Sequence, residues 1–418
     1  AMGSDEGVDV TTVAMLGAFD TKASEFEFLR EELVRRGARV LAVDFGVHDR
    51  PPAWADVPSS TVADLGGADL KELLRGRDRG AAMRAMANGA AALFRRFAAN
   101  GDIDGAISLG GTGGTAVAGA AFRELPLGVP KMIVSTAASG YTAPYVGESD
   151  LILVPSITDI AGLNSILRGV IEKAAASIVA QSSDGARVPT KSASTIAASM
   201  FGVTTPCVDR ARGELERRGS EVVVFHMTGT GGRMMERLIR EGLIDAALDI
   251  TTTELADELV GGVFAAGPER LSAAALRGVP QVVSVGALDM VNFGPRDSVP
   301  SEFSTRRLYQ HNPSVTLMRT TPEETEELGR RLAERLNASI GATTVLIPLR
   351  GVSALSVEGA PFADHVADEA LFAAIRAGID PDRVELVELD CDINAPEFAD
   401  RAVSVLLTNM ARSGVPVG

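Results

Sequence analysis

The sequence predicts an α/β protein made of two tandem Rossmann-like units with mostly parallel sheets. Short apolar segments alternate with segments of helical spacing, which is the pattern of parallel strands joined by helices. The segment LVRRGARVLAV at 33–43 is similar to the segment LERRGSEVVVF at 215–225. The length of 418 residues is too great for one typical domain and suits two. We therefore expect domains over residues 1–190 and 191–418, with a polar linker at 180–194.

The elements of the two units follow a similar order. In the first unit, the pattern predicts strands in 11–20, 38–46, 101–111 and 128–140, and helices in 22–37 and 66–99. In the second unit, it predicts a strand and turn in 195–206, a helix in 207–219, a strand and glycine loop in 220–232, and a later strand in 278–290. The repeat is imperfect, because the first unit has an additional helical insertion before its glycine loop.

Composition excludes several classes of function. The net charge of −15 repels nucleic acid and anionic lipid, so we expect no nucleic-acid partner. No apolar run reaches the roughly 18 uncharged residues of a membrane span, and the first residues lack the features of a secretion signal. We therefore predict a cytoplasmic protein without a membrane partner. Cys207 and Cys391 fit no metal or redox spacing and are expected to be buried.

Two glycine loops are the main functional signal. Each follows a predicted strand and opens a helix, the place where parallel sheets bind ligands and where free N–H groups attract anions. The first loop is the predicted phosphate site for a cofactor: Gly110, Gly111, Thr112, Gly113, Gly114 and Thr115. The second loop is the predicted site for an anionic substrate: Thr228, Gly229, Thr230, Gly231, Gly232 and Arg233.

The loops do not specify which phosphate ligand binds. Gly111, Gly113 and Ala116 satisfy the G-x-G-x-x-A form of the dinucleotide fingerprint, but the next strand does not end in an acidic ribose partner. No Lys-Ser or Lys-Thr pair follows the first loop, so it is not a Walker A motif. The alternative is that these glycines only make tight turns between strand and helix.

Other candidate residues lie at the ends of predicted strands. Beside the first loop these are Asp20, Thr21, Lys22, Thr136, Ser139 and Gly140. Asp20 could accept a ribose hydroxyl or a metal ion, whereas the alternative is that Asp20 or Thr21 caps the following helix.

In the second unit, the candidate catalytic groups are His226, Glu254 and Asp289. The candidate substrate contacts there are Asn292, Arg296, His311 and Arg350. For Glu254, the alternative is an acidic residue in the first turn of a helix. No spacing indicates a protein-bound metal centre.

Several longer motifs resemble one protein family. They include ISLGGTGGTA at 107–116, FHMTGTGGRMME at 225–236, LDITTTELADELVGG at 248–262 and YQHNPSVTLMRTTPEE at 309–324. Together they are similar to a bacterial, fungal and plant family related to the N-terminal ATP-binding domain of the tomato mosaic virus resistance protein, an inhibitor of viral RNA replication. The resemblance covers about residues 11 to 410.

The resemblance implies a Rossmann-like first half that binds ATP, and a homodimer. The nucleotide would lie on residues 110–115, beside the turns at 19–22 and 136–140. The antiviral role does not transfer, because the sequence shows nothing of that context.

The leading hypothesis is an ATP-dependent transferase or hydrolase that acts on a small anionic metabolite between the two domains, with Mg²⁺ as a possible cofactor. Asp20 or a threonine hydroxyl would be its ligand. One alternative is a non-catalytic module that responds to nucleotide. Another is an enzyme of sugar phosphates or nucleotide sugars.

Overall fold

The chain forms two compact units, Ala1–Thr190 and Lys191–Gly418. The computed structural model describes residues 10–48, 52–76, 78–184 and 193–416. Most of the predicted linker at 180–194 lies outside these described residues. Each unit contains a parallel sheet with helices on both faces, which confirms the predicted α/β class.

The N-terminal unit is a five-stranded parallel sheet. Its strands are β1 (Thr12–Gly17), β2 (Arg39–Asp44), β3 (Gly105–Gly110), β4 (Lys131–Ser135) and β5 (Ile152–Pro155). They lie in the order β2-β1-β3-β4-β5. Its helices are α1 (Ala23–Arg35), α2 (Ser59–Leu65), α3 (Leu70–Gly76), α4 (Arg79–Asn100), α5 (Thr112–Phe122), α6 (Ala143–Val146) and α7 (Ser165–Ser183).

Alternation along the strands divides the core of this unit into two layers. On β1, Ala14 and Leu16 belong to the apolar cluster on one face of the sheet, whereas Val13 and Met15 belong to the cluster on the other. Successive side chains of a strand point to opposite faces, and here both faces are covered by helices. This is why the strands read as continuous apolar runs.

The structure corrects the predicted helix at 66–99. That region contains α3 and α4, and Gly66 ends the preceding helix α2 as its C-cap. The side chain of Asp78 accepts a hydrogen bond from Ala81 N and so caps the start of α4. The alanine-rich pattern was correct for α4, but the turn residues between the shorter helices were not recognised. The short strand β5 was also missed.

The C-terminal unit is built on a six-stranded parallel sheet. Its strands are β6 (Thr195–Met200), β7 (Glu221–His226), β8 (Ala246–Thr251), β9 (Gln281–Gly286), β13 (Thr343–Pro348) and β14 (Val384–Leu389). A separate antiparallel sheet contains β10 (Met290–Phe293), β11 (Leu308–Asn312) and β12 (Val315–Arg319). The helices are α8 (Thr205–Arg217), α9 (Thr230–Arg240), α10 (Glu254–Val260), α11 (Ala273–Arg277), α12 (Pro322–Leu336), α13 (His365–Gly378) and α14 (Pro396–Arg412).

The two parallel sheets share one strand order. In chain order within each unit, the second strand lies at one edge, followed by the first, third, fourth and fifth strands. The C-terminal unit adds a sixth strand after these. In such sheets the strand order reverses between the first and third strands, and ligands bind beyond the carboxyl ends at that point. The reversal lies between β1 and β3 in one unit and between β6 and β8 in the other.

Candidate functional site

A cleft lies at the reversal point of the N-terminal sheet. Its volume is about 660 Å³, within the range typical of small-molecule sites. Its walls come from the β1–α1 turn, the segment after β2, helices α3 and α4, and the first glycine loop. Eight of the predicted cofactor residues line it: Asp20, Thr21, Lys22, Gly110, Gly111, Thr112, Gly113 and Gly114.

The first glycine loop presents its backbone to this cleft. Gly111 is the N-cap of α5, with extended backbone and no side-chain cap. Within the described chain, no acceptor is found for the N–H groups of Thr112, Gly113 and Gly114. The first turn of a helix concentrates such free donors at the positive end of the helix dipole. This loop therefore has the geometry of an anion site.

Thr115 has a structural role in place of the predicted ligand contact. It is fully buried, and its hydroxyl donates to Gly111 O at 2.8 Å and lies 2.6 Å from Ser135 Oγ. These bonds fasten the start of α5 to the loop and to β4. Thr136 lies beside the loop, since its N–H donates to Gly110 O at 3.2 Å. Ser139 and Gly140 are exposed in the segment after β4, and neither lines the cleft.

Asp20 is held by His48, a residue that the sequence did not single out. The Asp20 Oδ2 atom accepts the backbone N–H of His48 at 2.9 Å and lies 2.8 Å from His48 Nδ1. No side-chain cap is found at the start of α1, so the alternative that Asp20 or Thr21 caps this helix is wrong. The Lys22 ammonium donates to the carbonyl of Ile160. A histidine directly before an Asp-Arg pair carries no recognisable sequence signal.

Part of the lining of the cleft is apolar. It is formed by Phe45, Val47, Leu73, Leu74 and Met83, which come from the segment after β2 and from α3 and α4. These residues were not predicted, because an apolar helix face has the same pattern whether it packs on a core or borders a cleft. The cleft therefore combines backbone donors with an apolar surface.

The second glycine loop is not a topological copy of the first. It follows β7, the edge strand of the C-terminal sheet, whereas the first loop follows the central strand β3. The position equivalent to the first loop is the turn after β8. There Thr251 and Thr252 are buried, and their hydroxyls donate to Ser199 O at 3.1 Å and Ser284 O at 3.0 Å. That turn is closed by the protein itself.

An internal carboxylate fills the second glycine loop. The Oε1 atom of Glu254 accepts the N–H groups of Gly229 at 2.8 Å and Gly232 at 3.0 Å. Glu254 is fully buried, and burial raises the pKa of its carboxyl group. A Cβ atom on Gly232 would collide with this carboxylate, which explains the glycine there. The loop does bind an anion, but the anion belongs to the protein, so Glu254 has a structural role in place of the predicted catalytic one.

A buried arginine completes this arrangement. Arg270 is 1% exposed, and its Nε donates to Glu254 Oε2 at 2.7 Å. Its terminal nitrogens contact Asp249 at 2.5 and 2.6 Å and Glu236 at 3.4 Å. Three carboxylates therefore surround one guanidinium, and the loop N–H groups bind the remaining oxygen of Glu254. Buried charges require such pairing.

The other predicted residues of the C-terminal unit have separate environments. Asp289 is fully buried and accepts the Ser353 hydroxyl at 2.7 Å. Burial raises the pKa of Asp289 to about 6. Asn292 is also buried, and its amide donates to Asp257 Oδ1 at 3.1 Å. Neither side chain is accessible to a substrate in this structure.

The remaining candidates are at the surface. His226 is exposed at the end of β7, with its ring stacked on Phe201 at 5.4 Å. Arg233 donates to Ala265 O at 3.1 Å, and Arg350 forms an exposed ion pair with Asp390 at 2.7 Å. Thr230, Arg296 and His311 are also exposed, whereas Thr228 and Gly231 are partly buried. The predicted catalytic groups therefore have distinct partners and do not form one cluster of contacts.

The described residues lack two further features. No group of three or more His, Cys, Asp or Glu side chains there is arranged to hold a metal ion. No helix of that part of the chain is long and apolar enough to cross a bilayer.

Comparisons with known proteins agree on one family. Residues 11–186 match the N-terminal domain of the Uncharacterised protein family (UPF0261), and residues 193–410 match its C-terminal domain. A UPF0261 protein of Clostridium tetani is 44% identical over 96% of this chain and 99% of its own length. The ToMV resistance protein Tm-1(GCR237) of Solanum lycopersicum is 38% identical over 94% of this chain and 55% of its own length. Both domains and both relatives lead to one conclusion: the chain belongs to the Uncharacterised protein family (UPF0261).

Proposed function

We propose that the protein binds ATP in the cleft of the N-terminal unit. The observation that carries this proposal is the first glycine loop, whose free N–H groups face a cleft at the reversal point of a parallel sheet. Phosphate groups suit such donors. The family resemblance found in the sequence favours ATP among the phosphate ligands.

The two sides of the cleft fit the two ends of a nucleotide. The triphosphate would lie on the N–H groups of Thr112, Gly113 and Gly114, and the two glycines have no side chain of their own between ligand and backbone. Arg79 supplies positive charge, since its guanidinium lies 4.0 Å from the position that a Cβ atom on Gly113 would take. The apolar part of the lining would cover the base. Local geometry and charge thus favour an anion despite the net charge of −15.

Magnesium would enter this site with the nucleotide. The described residues contain no ready-made group of three metal ligands, so the phosphates would supply most of the coordination. Mg²⁺ commonly binds through substrate phosphates and water with only one or two carboxylates.

The test is calorimetric titration of ATP, with and without magnesium, into the wild-type protein and into two variants of Thr112. Thr112 is exposed at the first position of α5. In Thr112→Glu, the acidic side chain suits the helix dipole and preserves folding, but it repels phosphate. Thr112→Gln is the neutral control of similar size. We expect the affinity to fall at least about tenfold in Thr112→Glu and to stay within about twofold of wild type in Thr112→Gln.

A second variant tests close approach to the backbone. In Gly111→Ala/Gly113→Ala, the new Cβ atoms meet nothing closer than 3.4 Å, so the fold accepts them. They nevertheless stand between the ligand and the loop, and we expect binding to be lost in this folded variant. Equal affinity in wild type, Thr112→Glu and the double variant would move the nucleotide away from this loop.

We also propose a cytoplasmic homodimer, as the family resemblance implies. Light scattering of the purified chain should then give twice the chain mass of 43.6 kDa. A mass of one chain at micromolar concentration would contradict this part of the proposal.

A further inference from the structure

We propose that His48 is a general base in the cleft, that Asp20 positions it, and that together they activate water for hydrolysis of the terminal phosphoryl group of the bound nucleotide. This inference rests on the proposed function, because the substrate is the nucleotide on the first glycine loop. It places the chemistry in the N-terminal unit, whereas the sequence had placed the catalytic groups in the C-terminal unit.

The geometry is that of an oriented histidine. Asp20 Oδ2 lies 2.8 Å from His48 Nδ1, and the same oxygen accepts the His48 backbone N–H at 2.9 Å. The Asp20 side chain is 4% exposed, whereas the His48 side chain is 66% exposed. Both residues line the cleft together with the glycine loop. A carboxylate therefore holds the inner edge of the ring, and the outer edge is open to a ligand or to water.

The hydrogen bond determines which ring nitrogen can take a proton. An ionised carboxylate only accepts hydrogen bonds, so Nδ1 of His48 must carry the hydrogen. The Nε2 atom is then left with its lone pair, as a general base requires. Orientation of a base by a third group is a recurring feature of sites that activate a hydroxyl group or water.

Asp20 is better suited to act through His48 than to bind the ligand itself. Its Oδ1 atom is shielded from solvent and has no hydrogen-bond partner among the described residues. A ligand could reach this oxygen only if the side chain moved. A Cβ atom on Gly46 would lie 2.5 Å from the Asp20 Cγ, so the carboxylate fits only against a glycine. Asp20 is therefore a positioning residue.

Asp44 fixes the two segments that bring this pair together. Its Oδ1 atom accepts the N–H of Phe19 at 3.1 Å and the N–H of Gly46 at 2.8 Å. One carboxylate thus ties the residue before Asp20 to the segment that leads to His48. Burial raises the pKa of Asp44, and the neighbouring Asp20 adds to the increase.

The other charged groups of the cleft come from two elements. Lys22 belongs to the β1–α1 turn, and Asp78 and Arg79 begin α4. Arg79 lies next to the glycine loop and would neutralise phosphate charge. Lys22 is engaged by the carbonyl of Ile160. His48 lines the same cleft.

The reaction is hydrolysis of a phosphoanhydride. The oxygen of water forms a bond to the γ-phosphorus, and the bond from that phosphorus to the β,γ-bridging oxygen breaks. The products are ADP and inorganic phosphate. The proton of the attacking water passes to His48 Nε2 and from there to solvent. The glycine-loop N–H groups and Arg79 stabilise negative charge on the phosphoryl oxygens.

The first test needs no turnover. NMR of protein carrying ¹⁵N-histidine distinguishes the two ring tautomers, and His48→Gln identifies the His48 signals among the four histidines of the chain. In the free wild-type protein above pH 7.5, we expect the tautomer with hydrogen on Nδ1. In Asp20→Asn, this preference should be lost. A wild-type tautomer with hydrogen on Nε2 would overturn the proposal.

The second test measures phosphate release from ATP and magnesium against pH, with ATP binding measured calorimetrically in each variant. We expect His48→Gln to reduce kcat about 10²- to 10⁴-fold while ATP still binds, and to remove the decline of activity toward acidic pH. Asp20→Asn should also reduce kcat and alter the pH profile. The matched control is His365→Gln, because His365 is exposed on α13 of the other unit.

The possible outcomes separate this inference from the proposed function. If ATP binds but the wild type releases no phosphate, or if His48→Gln retains wild-type kcat, the general base is wrong and ATP binding stands. If ATP does not bind to the wild type, both proposals fall. Loss of turnover in His48→Gln, with binding retained and His365→Gln normal, supports the dyad.

Discussion

Glu254 shows how one residue of the protein can occupy a loop whose sequence predicts a bound ligand. Its carboxylate accepts two N–H groups of the second glycine loop and pairs with Arg270. The sequence correctly indicated that residues 229–232 prefer an anion. It could not show that the anion would come from a residue at least 22 positions further along the chain, because that contact depends on the tertiary fold, which brings the start of α10 to the start of α9.

The first prediction concerns the stability that Glu254 provides. In Glu254→Gln, an amide N–H₂ group must face either Arg270 or the loop N–H groups, all of which are donors. We expect the free energy of unfolding to fall by about 3 kcal/mol, as for other broken buried ion pairs. Urea denaturation measures this change. The control Asp400→Asn breaks the exposed pair with Arg210 and should cost less than about 1 kcal/mol. Equal effects of the two substitutions would contradict the role of Glu254.

The second prediction concerns pH and Asp289. Burial raises the pKa of this carboxyl group to about 6 in the folded protein, above its ordinary value of 3.8. The folded state therefore favours the protonated form, and the contribution of this group to stability is fully present below about pH 4 and is lost as pH rises through 6. Relative to the uncharged variant Asp289→Asn, the wild type should lose up to about 3 kcal/mol between pH 4 and 7.

Asparagine is a suitable reference at this position. Its carbonyl can still accept the Ser353 hydroxyl, while the second Asp289 oxygen has no hydrogen-bond partner within the described chain. Urea denaturation of both proteins at several pH values gives the difference in the free energy of unfolding. A difference that stays constant from pH 4 to 7 would show that Asp289 does not titrate in this range.

At the scale of elements, periodicity was a better guide than glycine content. The four predicted strands of the N-terminal unit correspond to β1, β2, β3 and β4, because each is an apolar run covered on both faces. The similar glycine-rich sequences of residues 110–115 and 229–232 predicted two equivalent loops. The loops nevertheless follow strands at different positions in their sheets. A local pattern does not contain the order of strands, so the sequence could not distinguish the open loop from the filled one.

The third prediction uses two helical glycines with different surroundings. A Cβ atom on Gly169 of α7 would meet no atom within 4 Å, so Gly169→Ala should stabilise the protein by about 0.5–1 kcal/mol through reduced freedom of the unfolded chain. A Cβ atom on Gly89 of α4 would collide with the carbonyl of Val62 in α2. Gly89→Ala should therefore destabilise the protein, by about 1–3 kcal/mol. Thermal denaturation should shift in opposite directions, and a shift of the same sign would contradict the packing of α2 on α4.

At the scale of the whole molecule, the two units share one strand order but differ at the reversal point of their parallel sheets. The N-terminal unit leaves its reversal point open as a cleft, whereas the C-terminal unit closes it with buried threonines. The tandem fold was predictable from the alternation of strand and helix segments and from the similar segments in the two halves of the sequence. The position of the candidate site was predictable only in the N-terminal unit, since His48 and the apolar wall depend on tertiary contacts.

The fourth prediction compares amide hydrogen exchange at the two loops. In the free protein, the amides of Gly229 and Gly232 should exchange slowly, because Glu254 accepts both. The amides of Thr112, Gly113 and Gly114 should exchange quickly, because they lack acceptors within the described chain. Addition of ATP should slow exchange in the first loop alone. Slowing at the second loop instead would show that Glu254 yields its place to the ligand.

The carboxylate inside the second loop also determines how the protein can respond to its surroundings. Glu254 already occupies the anion position of the second loop, so we expect changes in the concentration of phosphate compounds to leave this loop unaffected. Within the described residues, no side chain occupies the first loop in this way. If the protein binds nucleotide as proposed, we expect its response to phosphate compounds to originate in the N-terminal unit, while Glu254 and Asp249 continue to balance the charge of Arg270 in the C-terminal unit.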